Sequence, residues 1–147
     1  AAQSEAAAPI VAAFEKGLAD VEPVVARETM VESIQVGNPA SLGWRALTAL
    51  RESGGTAVAA SDAEIIEAQA LTATLAGIFA EPAAATSVAV AKKLRADGTI
   101  GPGDIVVCNL TGHGLKQPEA IQCSQKDFKP IAPTLLALSE YVKKTGA

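Results

Sequence analysis

Aromatic residues are scarce, at 3% of 147 positions, so a core here must rest on Ala, Val, Leu and Ile. Alanine alone makes up about a fifth of the chain, which points to closely packed helices. Histidine occurs once, which excludes a His-rich metal site. Two cysteines, Cys108 and Cys123, are too few for a disulfide framework, and a reducing cytosol is the simpler expectation. No apolar run reaches the roughly 20 residues that a spanning helix needs. Ala1 to Ala8 contain an acid and lack the basic start and long apolar stretch of a signal peptide. Positive charge is also short: 12 Lys and Arg against 16 Asp and Glu leave a net −4. That balance offers no field for nucleic acid or an anionic membrane. A cytoplasmic protein with neither partner is expected.

Hydrophobic residues make up 49% and charged residues 19%, enough for a packed core, and the length suits one domain, residues 1–147. The pattern predicts helices over 7–18, 41–53, 62–76, 82–96 and 134–144. In the first, Pro9 suits a first turn, and Ile10, Val11 and Phe14 share a face. The second has Ser41 as its cap, Leu42, Leu47 and Leu50 inward, and Gly54-Gly55 as its stop. Ser61 and Glu64 form a capping box for the third, whose stripe is Ile65, Ile66, Ala68, Leu71 and Leu75. Glu81-Pro82 opens the fourth; Lys92 and Lys93 read as its solvated end. Short apolar strands are expected at 33–36, 56–60, 78–80 and, most clearly, Ile105 to Leu110. Alternating strands and helices argue for a three-layer α/β architecture with a parallel sheet.

Ligands of such sheets sit beyond the carboxyl ends of the strands. Three segments lie there: Val36-Gly37-Asn38-Pro39, Ala80-Glu81-Pro82, and Leu110-Thr111-Gly112-His113-Gly114. The third is the most informative. It delivers a hydroxyl, two glycines and the only imidazole into one turn, although a plain glycine turn would read the same way. His113 has no second His or Cys at metal-ligand spacing and no nucleophile elbow to serve. Glu81 reads equally as an acid favoured by a helix dipole, and Gly37-Asn38-Pro39 as a turn. Cys108 reads as a buried small hydrophobe, and Cys123 as a loop residue without a neighbouring base.

Four stretches in order resemble threonine synthases. Gly101-Pro102-Gly103-Asp104 through Val107-Cys108, then Leu110 to Lys116, resembles the C-terminal strand and turn of that family. Glu81-Pro82-Ala83-Ala84-Ala85 is similar to its E-P-A-S/G-A helix start, and Ile34 to Ser41 to its I-x-I-G-N-P segment. Gln3-Ser4-Glu5 with Ala7-Ala8-Pro9 resembles a Q-x-E-G-A-A-P stretch, with Ala6 in place of glycine. The resemblance implies pyridoxal phosphate as cofactor, the tryptophan-synthase-β-like fold type II, and an amino-acid phosphate, O-phosphohomoserine, as small-molecule substrate. Elimination and replacement with water would give threonine and phosphate, in an enzyme that is a homodimer when complete. Thr111 would meet the pyridine nitrogen, with Gly112 and Gly114 packing close to the ring. Gly37, Asn38 and Glu81 would line the cofactor end.

The family's Schiff-base lysine stands in an upstream S-x-K-D-R-type segment, and its phosphate loop is upstream too. None of Lys16, Lys92, Lys93, Lys116, Lys126, Lys129, Lys143 and Lys144 stands in such a segment. The expectation is the C-terminal portion of a pyridoxal-phosphate-binding catalytic domain, with no catalytic residue of its own and inactive by itself. Ala84, Thr86, Asn109 and Trp44 depart from the family pattern. A threonine dehydratase or cysteate synthase relative, or a non-catalytic module that completes another chain's fold, remain alternatives.

Overall fold

A computed structural model describes residues 1–122 and 130–145. Its centre is a parallel pair, β1 (Ala2–Ser4) and β2 (Val58–Ala60), in register Ala2 to Val58 and Ser4 to Ala60. Side chains alternate across this pair. Ala2, Val58 and Ala60 face a core of Val31, Ile65, Ala68, Ala85, Ala89 and Val90, while Ala57 and Ala59 face Val11 and Leu50. The first core belongs to α3 (Asp62–Ala76) and α4 (Pro82–Ala96), the second to α1 (Pro9–Glu15) and α2 (Ser41–Glu52). Helices therefore cover both faces, and the expected three-layer α/β arrangement is present around a two-stranded sheet.

The local signals explain the helix ends. Ser61 Oγ accepts from the Glu64 N–H at 3.3 Å, and the Glu64 carboxylate accepts from the Ser61 N–H at 2.8 Å, completing the capping box. These bonds, the backbone N–H foremost, hold the Glu64 carboxyl below the usual carboxylate range, with Lys93 assisting. Lys93 is no solvated end: its Nζ turns back to the Ala59 carbonyl at 3.0 Å and to Glu64 at 3.2 Å. Lys92 does lie in solvent, paired with Glu67. Ser41 is already helical and caps nothing, and Ala40 occupies the cap position with φ +48°. Gln3 supplies a cap that the sequence reading did not include. Its Oε1 reaches from β1 to accept both the Ile10 and Val11 N–H groups at 3.0 Å.

Three expected strands take other forms. Residues 33–36 fall in a 3₁₀ turn, Glu32–Ile34, and its exit. Within 78–80 only Ala80 is bridged, antiparallel, to His113. Ile105 to Leu110 is extended, yet no strand runs beside it among the described residues. A groove of about 320 Å³, lined by Ala2, Val90, Val106 and Cys108 among others, runs beside it, and Cys108 is half-buried. Apolar content made these segments strand-like; a strand also needs a backbone partner.

Two faces are corrected as well. Leu42 is exposed while Leu47 and Leu50 are buried. On α3 the inward residues are Ile65, Ala68, Gln69 and Thr72, and Leu71 and Leu75 point to solvent. α3 packs on the small side chains of α4, where alanines permit close approach. The polar pair fits there because Gln69 Nε2 donates to the Ala80 carbonyl at 2.7 Å and Thr72 Oγ1 to the Ala68 carbonyl. Between α4 and the C-terminal residues lie a 3₁₀ turn, Gly114–Lys116, and α5 (Glu119–Gln122); α6 (Leu135–Thr145) follows, with the Thr134 hydroxyl accepting from the Ala137 N–H. Cys123, Lys126 and Lys129 lie outside the described residues.

Candidate functional site

The start of α4 and the turn after Leu110 are brought together by backbone bonds. The Glu81 N–H donates to the Gly112 carbonyl at 3.0 Å, and the Gly114 N–H donates to the Phe79 carbonyl at 2.9 Å. Both glycines are required by this closeness. A Cβ on Gly112 would lie 1.9 Å from Glu81 Oε1, and one on Gly114 would lie 2.2 Å from Phe79 Cε2. His113 sits edge-on to the Phe79 ring at 5.6 Å, and its Nδ1 accepts from the Leu115 N–H at 3.1 Å. That bond gives the imidazole a turn-capping role.

Glu81 occupies the cap position of α4 but its side chain caps nothing. The residue is only 4% exposed, and a buried carboxylate needs partners. It accepts from Lys116 Nζ at 2.9 Å and from Ser33 Oγ at 3.4 Å. Glu81 is thus the junction of three segments, and its dipole role is secondary to these contacts. Lys116, inside the stretch that resembles the family's turn, and Ser33, inside an expected strand, carry no site role in their sequence pattern; the adjacency of Lys116 to the Thr-Gly-His-Gly turn was the one available signal.

Thr111 stands exposed at the head of the turn, and its side chain takes no part in the bonds that hold the turn. Gly37 and Asn38 do not join this junction directly. Gly37 is paired with Val24, whose N–H donates to its carbonyl at 2.9 Å, and a Cβ there would meet the Val24 carbonyl oxygen at 2.3 Å. Asn38 Oδ1 accepts from the Ala40 N–H at 3.0 Å, as in a local turn. Ser33 makes the contact from that segment to Glu81.

Residues 1–112 match the family described as pyridoxal-phosphate dependent enzyme. The chain belongs to that family. It is 46% identical over 128 residues to a threonine synthase of Methanocaldococcus jannaschii, covering 86% of this chain and 31% of that protein. It is 45% identical over 119 residues to the threonine synthase of Methanosarcina acetivorans, covering 81% of this chain and 29% of that protein. The chain therefore spans about a third of the length of the curated relatives it matches. A solved crystal structure of a T.th. threonine deaminase shares the fold, with a TM-score of 0.56 at 21% identity over 86% of this chain and 39% of that one. Pyridoxal phosphate is the cofactor of the family.

The residues present fit one end of that cofactor. The Thr111 hydroxyl, exposed and able to donate or accept, stands on a turn that backbone bonds pin in place, beside glycines against which Glu81 and Phe79 pack closely. Lys116, the lysine next to this turn, is tied to the Glu81 carboxylate.

Proposed function

We propose that the chain is the C-terminal part of the catalytic domain of a threonine synthase, which converts O-phosphohomoserine and water to threonine and phosphate. The observation that carries this reading is the 46% identity to a threonine synthase over 128 residues, a stretch that outruns any single motif. Pyridoxal phosphate supplies an electron sink when bound. In this proposal Thr111 gives its hydroxyl to the pyridine nitrogen. A neutral hydroxyl does not hold that nitrogen protonated as a carboxylate would, which moderates the sink and suits elimination and replacement over transamination. Gly112 and Gly114 let the backbone approach the ring, Glu81 fixes the turn, and Gly37 and Asn38 border the same end. The lysine that would carry the cofactor, and the phosphate loop, belong to the part of the protein outside these residues. The complete enzyme is proposed to be a cytoplasmic homodimer, on the strength of the family resemblance.

Phosphate release from O-phosphohomoserine by the full-length protein tests the assignment. We expect release that depends on pyridoxal phosphate and falls about a hundredfold or more in Thr111→Val, because that variant removes the hydroxyl proposed to meet the ring nitrogen. A full-length protein that releases no phosphate but deaminates threonine would establish the sibling dehydratase instead. The isolated chain should show neither activity, and turnover by it would overturn the assignment of the lysine to an upstream segment.

A further inference from the structure

We propose that Lys116 is a positioning residue: its ion pair with buried Glu81 straps the 111–114 turn onto α4 and thereby sets where the Thr111 hydroxyl stands. The relevance of that hydroxyl rests on the reading above; the strap itself rests on the geometry alone.

The turn has little of its own to hold it. Two of its four residues are glycines and Thr111 is exposed, so His113, edge-on to the Phe79 ring, gives the turn its one side-chain contact of its own among the described residues. Its place depends on the two backbone bonds to Phe79 and Glu81 and on the carboxylate lying against Gly112 where a side chain would begin. That carboxylate is in turn held by Lys116, a residue just after the turn in sequence. Lys116 belongs to the 3₁₀ turn that follows, so its contact with Glu81 at 2.9 Å ties the residues after the turn to the start of α4. The partners are unequal: the Glu81 side chain is 5% exposed and that of Lys116 59%. Removal of the lysine therefore leaves a buried carboxylate with, among the described residues, Ser33 at 3.4 Å to compensate it. The carboxylate then gains by moving toward water, and Gly112 loses its backing. Lys116 has no other charged partner among the described residues.

The test uses the full-length holoenzyme with Lys116→Met, Lys116→Arg and Glu81→Gln. Amide hydrogen exchange at Glu81 and Gly114, whose N–H groups donate the two bonds that hold the turn, reads the strap directly. Exchange should quicken about tenfold or more in Lys116→Met and in Glu81→Gln, and return to within about threefold of the parent in Lys116→Arg. In the same variants kcat for phosphate release should fall about tenfold with KM little changed, and the arginine should restore it. Parent-like exchange in Lys116→Met overturns the strap whatever the kinetics do. Should Lys116→Met fail to fold, Glu81→Gln carries the same exchange measurement. Quickened exchange with unchanged kcat, together with an unaltered cofactor spectrum in Thr111→Val, keeps the strap and refutes the role given to Thr111.

Discussion

Gly112 carries more constraint than its size suggests. The glycines at 17, 54 and 77 have positive φ and open space around the missing Cβ, so they answer to backbone conformation. At Gly112 the constraint is contact: three Glu81 side-chain atoms lie between 1.9 and 2.8 Å from where a Cβ would sit. A flexible side chain could step aside, but this one is buried and tied to Lys116 and Ser33. We expect Gly112→Ala to lower the unfolding free energy by about 1–3 kcal/mol, as for a side chain forced into filled space, measured by urea denaturation. Adding Glu81→Ala should recover part of that loss, because the two residues compete for one volume. Strict additivity in the double variant would show that the clash is absent. The sequence marked Glu81 and Gly112 as members of a site without marking them as neighbours. Their contact joins a helix start to a distant turn, and no local pattern encodes such a closure.

At the level of elements, legibility followed locality. The α3 capping box involves residues three apart and was readable, as was Pro82 in the first turn of α4. The Gln3 cap on α1 was not, because its donor helix and acceptor strand are separate elements joined by a turn. The face of α3 misled for a different reason. Leucines dominate a helical stripe by size, but the face packed on α4 carries Ile65, Ala68, Gln69 and Thr72, with Gln69 and Thr72 admitted because backbone carbonyls accept from both. Glu64 makes the cap testable by pH. Its folded pKa lies below the ordinary 4.5, so the ionised carboxylate adds stability above about that pH, and this contribution is lost as pH falls through the depressed value. Glutamine keeps the hydrogen-bonding shape but not the charge. The stability difference between the parent chain and Glu64→Gln should be largest near neutrality and shrink steadily below pH 4.5. A difference that stays constant from neutrality into the acid range would exclude an ionised cap.

The whole molecule presents an apolar surface that its own elements leave uncovered. Ile105 is 95% exposed and Val107 88%, on an extended segment whose backbone has no strand alongside it among the described residues. Leu75 and Ile78 add a second exposed apolar patch at the end of α3. Scattered single hydrophobes are ordinary on a surface, but an unpaired extended run with alternate residues bare is a template for another strand. The relatives are about three times as long, and in the proposed reading of this chain as part of such an enzyme the remaining polypeptide would cover this surface. The chain by itself should then associate with rising concentration, detectable as a shift in weight-average mass by sedimentation. Replacing Ile105 and Val107 by lysine should suppress that shift, since charge on an exposed edge opposes pairing. The same pair of substitutions in the full-length protein should lower the folded yield, because there the lysines would be driven into a packed sheet. Lysine variants that leave association unchanged while the full-length protein folds normally would place the contact elsewhere, with the Leu75 and Ile78 patch next to test. A chain that stays monomeric at all concentrations and unfolds cooperatively would instead favour an independent module, for which the exposed run is ordinary surface.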